Sequence, residues 1–195
     1  MIAYKGFNKN IESVMGNGKK ESCTFDAGKT YQETASKTAR TGFHCCENPF
    51  DCLTYYSMDG RNRFFKVEAS GDIDEDEGRK IACTRITLIE ELTPLKFALE
   101  GLRYMIEHPQ REHWQQSHRS VRVKEDECEA KEKGHIAIAR GADPVARGPE
   151  GSILGFIVEK NGAIQNAKLI VTPKEFADKW LRITAEREVE IIEES

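Results

Sequence analysis

At 195 residues, 38% of them hydrophobic and 32% charged, the chain is long enough for one domain or two small ones. Its net charge of −4 argues against a broad, sequence-independent grip on nucleic-acid phosphates. No apolar run approaches the roughly 18 residues of a membrane span. The opening MIAYKGF lacks a signal-peptide layout, and six cysteines diluted through such a chain imply reduced thiols and a cytoplasmic setting.

In chain order, IAYKGF (2–7) predicts a strand, GNGKK (16–20) a turn and GKTYQE (28–33) a short strand. TGFHC (41–45) runs into Asn48-Pro49, a helix start in which Asn caps and Pro takes the first position. A short helix over 49–57 then places Pro49, Cys52, Leu53 and Tyr56 on one face. RFFKVEAS (63–70) and RKIACTRITLIEEL (79–92) predict a β-hairpin, with GDIDEDEGRK (71–80) as an exposed acidic tip. TPLKFALEGLRYMIEHP (93–109) is the clearest helix, with Leu95, Ala98, Leu99, Leu102, Met105 and Ile106 as its apolar stripe. Residues 110–120 read as an exposed helical segment or a loop, and 121–134 as a strand that becomes a charged linker. HIAIARGADPVARGPEGSILGF (135–156) alternates branched and small residues. Residues 157–171 form a hairpin around Asn161-Gly162, TPKEFADKW (172–180) carries a capping box of Thr172 and Glu175, and 181–192 form a last short hairpin.

These elements predict an α+β fold. A β-rich unit with one short helix occupies 1–92, an amphipathic helix and helical connector 93–125, and a small β-rich unit 126–195.

The densest chemistry is His44, Cys45, Cys46 and Cys52. Zinc sites favour paired C-x₂-C spacing, whereas adjacent strand residues point to opposite faces, so no metal is expected. Cys46 and Cys52 read as small buried hydrophobes. Cys46, near the positive end of a capped helix, is alternatively a candidate nucleophile. If Phe43 and Cys45 face a core, His44 faces the other side. His108, His113 and His118, five apart, do not share a helix face and read as exposed; His135 reads as structural or solvent-facing. Asp72, Asp74, Glu75, Asp76 and Glu77 lack the glycine and glutamate placement of a calcium loop. They read as a solvated turn or as an electronegative surface for a partner. Tyr104 and Trp114 are candidate aromatic anchors at an interface. No P-loop, G-x-S-x-G or dinucleotide glycine fingerprint occurs.

Tyr4-Lys5-Gly6-Phe7, Gly28-Lys29-Thr30-Tyr31, Gly42-Phe43-His44, Cys46-Glu47-Asn48-Pro49, Tyr55-Tyr56 and Glu91-Leu92 form an ordered set. Through it, residues 4–92 resemble an uncharacterised domain family of phages, prophages and bacteria. The resemblance implies a mobile-element origin and no assigned reaction. Residues 135–156 resemble one turn of the β-roll in trimeric adhesin heads. The layout of an aromatic strand, G-F-H-x-C, a capped helix and a hairpin is similar to ADP-ribosyltransferase-like folds. That likeness implies NAD as cofactor, with Lys5, His44 and one of Glu68, Glu90 or Glu91 in catalytic positions. Lys5 stands where such folds carry Arg or His, and no Ser-Thr-Ser stretch follows.

Three functions follow as expectations. The favoured one is a phage or mobile-element protein that binds and inhibits a host defence protein or ribonucleoprotein complex stoichiometrically, anti-CRISPR-like, without cofactor and without contacting a membrane. The alternatives are an NAD-using transferase or glycohydrolase and a minor phage structural component.

Overall fold

The computed structural model describes residues 1–14, 20–38, 40–76 and 79–192. Residues 16–19 of the expected turn, and Glu77, lie outside them. The chain is mostly β, 52% strand and 13% helical, with a single helix of seven residues or more among the described residues. The expected α+β balance with a central amphipathic helix is therefore corrected. The other expected helices contract to 3-10 turns or loops, and much of the expected loop and linker is strand. The chain divides into two compact units, Met1–Thr93 and Pro94–Ser195.

In the first unit, β1 (Ile2–Asn8), β2 (Glu12–Val14), β3 (Lys20–Thr24), β4 (Thr30–Gln32), β5 (Phe43–Cys45), β6 (Asn62–Asp76) and β7 (Lys80–Leu92) follow in order. β1 pairs with β6 and β6 with β7, all antiparallel. The free edge of β7 takes β5 and then β4. Immediately after β5, Cys46 exchanges both backbone hydrogen bonds with Tyr4 of β1, at 2.7 and 2.8 Å. Residues 43–46 are therefore a seam that closes the sheet into a ring.

Alternation drives the core. Phe65, Val67 and Ala69 point inward from β6, and Ile86 and Leu88 from β7. Phe7 packs on Phe25 at 5.0 Å and edge-on to Phe65 at 5.5 Å. Each of these rings is fully buried, worth about 1.5–3 kcal/mol apiece.

The hairpin is longer than the sequence predicts. β6 runs through the acidic residues to Asp76, so Asp72, Asp74 and Glu75 are strand residues. Two irregularities make this possible. Ile89 is skipped in the pairing of Lys66-Val67 with Glu90 and Leu88. Gly71 and Asp72 together oppose Thr84, with Gly71 at φ +79 and the Thr84 hydroxyl accepting from the Asp72 N–H at 2.9 Å. A Cβ on Gly71 would lie 2.1 Å from Thr84 Oγ1, so this bulge needs glycine.

Asn48 caps as expected, its Oδ1 accepting from the Phe50 N–H at 3.0 Å. The turn it starts is 3-10 and ends at Thr54 rather than running to 57.

The second unit opens with α1 (Pro94–Glu107). Its buried face is Phe97, Ala98, Gly101, Leu102, Tyr104 and Met105, while Leu95, Leu99 and Ile106 are exposed. The expected stripe is thus rotated, because Phe97 and Tyr104 take the inner positions. Next come β8 (Gln116–Ser117), β9 (Val121–Glu129), β10 (Ile136–Arg147), β11 (Ile153–Lys160), β12 (Ala163–Val171), β13 (Leu181–Ile183) and β14 (Val189–Ile191).

β9, β10 and β11 stack parallel and in register, Val121 beside Ile136 and Ile136 beside Ile153. Each step advances the chain by only 15 or 17 residues. A parallel partner is usually reached by a crossover of a dozen or more residues. Here the strands themselves bend and coil, with β9 pairing β10 both before the corner, at 121–125, and after it, at 127–129. Small residues fill the interior: Ala137, Ala139 and Ala146 with Leu154 and Phe156. α1 packs across β11 and β12.

The β11–β12 hairpin turns at Asn161 and Gly162, with φ +54 and +73. The expected capping box at 172–175 does not form a helix. The Thr172 hydroxyl is buried against Ser152 Oγ at 2.8 Å, leaving only a 3-10 turn at Lys174–Phe176 without a side-chain cap. Among the described residues, no helix is long and apolar enough to cross a membrane.

Candidate functional site

In the first unit, Lys5 shares the inner face of β1 with Ala3 and Phe7. Its ammonium donates to the His44 carbonyl at 2.7 Å and to Ser13 Oγ at 3.1 Å. His44 lies between the inward Phe43 and Cys45 and is half-buried. Burial, followed by the charges of Lys80 and Lys5, lowers its pKa to about 4, so the ring is neutral at physiological pH. Glu68 is exposed on β6, on the face opposite Phe65, Val67 and Ala69. Glu91 is held bidentately by Arg63 at 2.5 and 2.7 Å. The set Lys5, His44 and Glu68 is therefore not gathered in one cleft.

Cys45, Cys46 and Cys52 are all buried. The hydrogen bond shared with Cys83, then burial, pushes the Cys45 thiol up. The bond shared with Cys46, then burial, does the same for Cys52. Cys52 Sγ also reaches the Tyr4 carbonyl at 3.3 Å. Among the described residues, no three His, Cys, Asp or Glu side chains are placed to hold a metal ion.

The acidic run is partly engaged within the chain. Asp74 accepts from the Thr38 N–H and hydroxyl, each at 2.6 Å, and these bonds hold its carboxyl below the usual range. The Asp72 carbonyl accepts from Ser36 Oγ. Glu75 is exposed near the hairpin end. Tyr104 is 9% exposed. His108 stacks on it at 4.1 Å, and its hydroxyl accepts from Arg111 at 2.5 Å. It is an internal support rather than a surface anchor.

Trp114 stands differently. It is half-buried beside a cleft of about 800 Å³ in the second unit, formed by the segment after α1, the bend at 125–126 of β9, the bend at 141–142 of β10 and the tip of the β11–β12 hairpin. Arg140 forms its floor. It is 3% exposed, and its guanidinium carbon sits 4.9 Å from the Trp114 ring centre. Nε donates to Glu159 at 2.6 Å and Nη2 to the Pro109 carbonyl at 2.6 Å, while Nη1 is buried with no partner.

The backbone around this cleft is irregular. His113, Asp126 and Asn161 border it at φ +57, +56 and +54, three of the six described non-glycine residues in the left-handed region. The β9–β10 register breaks after Arg140, and the β11–β12 register after Val158. Bulges and left-handed residues of this kind re-aim side chains and concentrate at functional sites. A Cβ on Gly141 would lie 2.0 Å from Asp126 Oδ1, so glycine leaves room for that carboxylate over the bend of β10.

A smaller hollow of about 550 Å³ lies by Trp180. There Arg147 stacks at 4.6 Å and pairs with Glu129 at 3.1 Å. Thus β10 carries two arginines, each with a tryptophan and a glutamate, but only Arg140 is fully buried.

Sequence reasoning singled out Trp114 and missed Arg140, Glu159 and Asp126. One signal was available. In I-A-I-A-R (136–140), strict alternation puts Arg140 on the same buried face as Ile136 and Ile138.

The fold and cleft define a two-unit, mostly β protein with an aromatic-filled ring and a coiled unit bearing a polar-lined cleft. The chain belongs to a family described as a domain of unknown function, DUF7666, whose model matches residues 1–100. No curated protein matches the chain, and no solved structure does.

Proposed function

We propose that the chain is a binding protein that engages a protein partner stoichiometrically through the cleft beside Trp114. The observation that carries this reading is the concentration of binding features there. A half-buried tryptophan, a buried arginine with a free N–H and three left-handed residues meet around one hollow. Partly buried aromatic and arginine groups dominate interface energetics. Inhibition of a host defence complex is the specific form of this function supported by the likeness of residues 4–92 to phage and prophage domains. The test is affinity capture from a bacterial host lysate with the wild-type chain and Trp114→Ala, with identification of bound proteins. A stoichiometric partner whose affinity falls by about tenfold or more in the variant is the expected result. Capture unaffected by Trp114→Ala overturns the cleft reading. Nicotinamide release from NAD, lost in both His44→Ala and Glu68→Ala, would establish the transferase alternative in its place.

A further inference from the structure

We infer that the cleft receives an extended basic peptide segment of the partner, so this inference rests on the binding reading above and names its ligand. A lysine or arginine side chain enters among Glu112, Glu125 and Asp126, and a main-chain carbonyl of the same segment meets Arg140 Nη1.

The charge balance of the lining carries the first half. Glu112, Glu125, Asp126 and Glu159 face two cations, Arg111 and Arg140. Both cations are already engaged, Arg111 on the Tyr104 hydroxyl and ring and Arg140 on Glu159 and Pro109. Glu159 is thereby neutralised. Glu112, Glu125 and Asp126 hold no hydrogen bond or ion pair among the described residues. The cleft thus presents three uncompensated carboxylates, and Asp126 is held beside its neighbours at a left-handed backbone angle.

Arg140 carries the second half independently. A buried guanidinium N–H without an acceptor gives up its hydration and gains nothing in return, and Arg140, which carries this one, is among the residues that line the hollow. The site therefore lacks an acceptor at its floor and a cation at its rim. A carboxylate or phosphate ligand satisfies the floor and is repelled at the rim. A free polyamine satisfies the rim and brings no acceptor. A peptide supplies both, with a carbonyl at every residue, about 3.3 Å apart when extended, and a cationic side chain whose stem or plane lies against Trp114.

The test uses the full chain carrying Trp180→Phe, which leaves Trp114 as the only tryptophan of the two. It is titrated at low salt with end-capped Gly-Arg-Gly-Arg-Gly, with Gly-Glu-Gly-Glu-Gly, and with spermidine. Calorimetric titration of the wild-type chain repeats the measurement without any substitution. The expected result is a saturable change in Trp114 emission with the arginine peptide. Affinity should drop about tenfold, the equivalent of 1.4 kcal/mol, in Glu125→Gln/Asp126→Asn. Asparagine tolerates the left-handed angle at 126, so that variant keeps its fold. Absence of saturation by about 1 mM, equal binding of the glutamate peptide, spermidine binding as tight as the peptide, or an unchanged double variant each overturns the inference. If the peptide fails while partner capture still depends on Trp114, the binding reading stands and the basic ligand falls; if both fail, both fall.

Discussion

The two units solve the same problem in opposite ways. Met1–Thr93 is an antiparallel ring packed with large aromatic residues, Phe7, Phe25, Phe43 and Phe65. Pro94–Ser195 stacks parallel strands around alanines. In the ring, Lys5 and the thiols are turned inward and satisfied: Lys5 is hydrogen-bonded to backbone and serine, and the free thiols are hydrogen-bonded in pairs, Cys45 with Cys83 and Cys52 with Cys46. In the coil, the interior is plain, and the unsatisfied Arg140 Nη1 belongs to the residue after which the β9–β10 register breaks. Chemical density in a sequence and an unsatisfied buried group in a fold are therefore separate properties, and here they fall in different units.

The sharpest way to break the comparison is to remove volume from the ring. Phe65→Ala should cost about 3–5 kcal/mol, measured by urea unfolding. Both tryptophans lie in the second unit, so their emission follows that unit alone and far-UV circular dichroism reports the rest. The coil should fail by the opposite operation. Ala139 is fully buried in its narrow interior, and Ala139→Leu should cost about 1–3 kcal/mol through overpacking, seen as an earlier tryptophan transition. A smaller effect separates the units by pH. His44 titrates near 4 when folded, against 6.5 for the free side chain. Between those values the unfolded chain binds the extra proton, so stability contributed by the neutral ring is present above about 6.5 and is lost as pH falls toward 4. After allowance for solvent screening this amounts to roughly 1–2 kcal/mol. His44→Gln should flatten the acid limb of a stability profile over that window. An unchanged slope would show that the ring's acid response lies elsewhere. The smallest effect is at the hairpin tip, where Asn161→Ala places alanine at φ +54 and should cost about 1 kcal/mol, read as a lower midpoint of the tryptophan transition.

Local signals were legible in the sequence. Asn48-Pro49 does cap a helical turn, Asn161-Gly162 does turn a hairpin, and Phe43 and Cys45 do flank an outward His44. What failed depended on partners distant in the chain. The rotation of α1 toward Phe97 and Tyr104 is set by the sheet it lies on. Thr172 gave up its cap because Ser152, twenty residues away, took the hydroxyl. The acidic hairpin end became strand because Gly71 and Thr84 form a bulge that no periodicity reveals. The cleft was least legible of all. It draws on the segment after α1, two strand bends and a hairpin tip, and only the alternation through Arg140 hinted that a charge was being buried.

The short register step between β9, β10 and β11 sets a rule for length change in this protein. Inserting a whole coil between Ser152 and Ile153, about as long as the existing step of 15 or 17 residues, leaves every upstream and downstream residue on its present side and merely lengthens the stack. An insertion of odd length within a strand reverses the side of everything beyond it. Natural variation in size at this point should thus come in quanta, and the number of such quanta would set how far Arg140 and Glu159 stand apart.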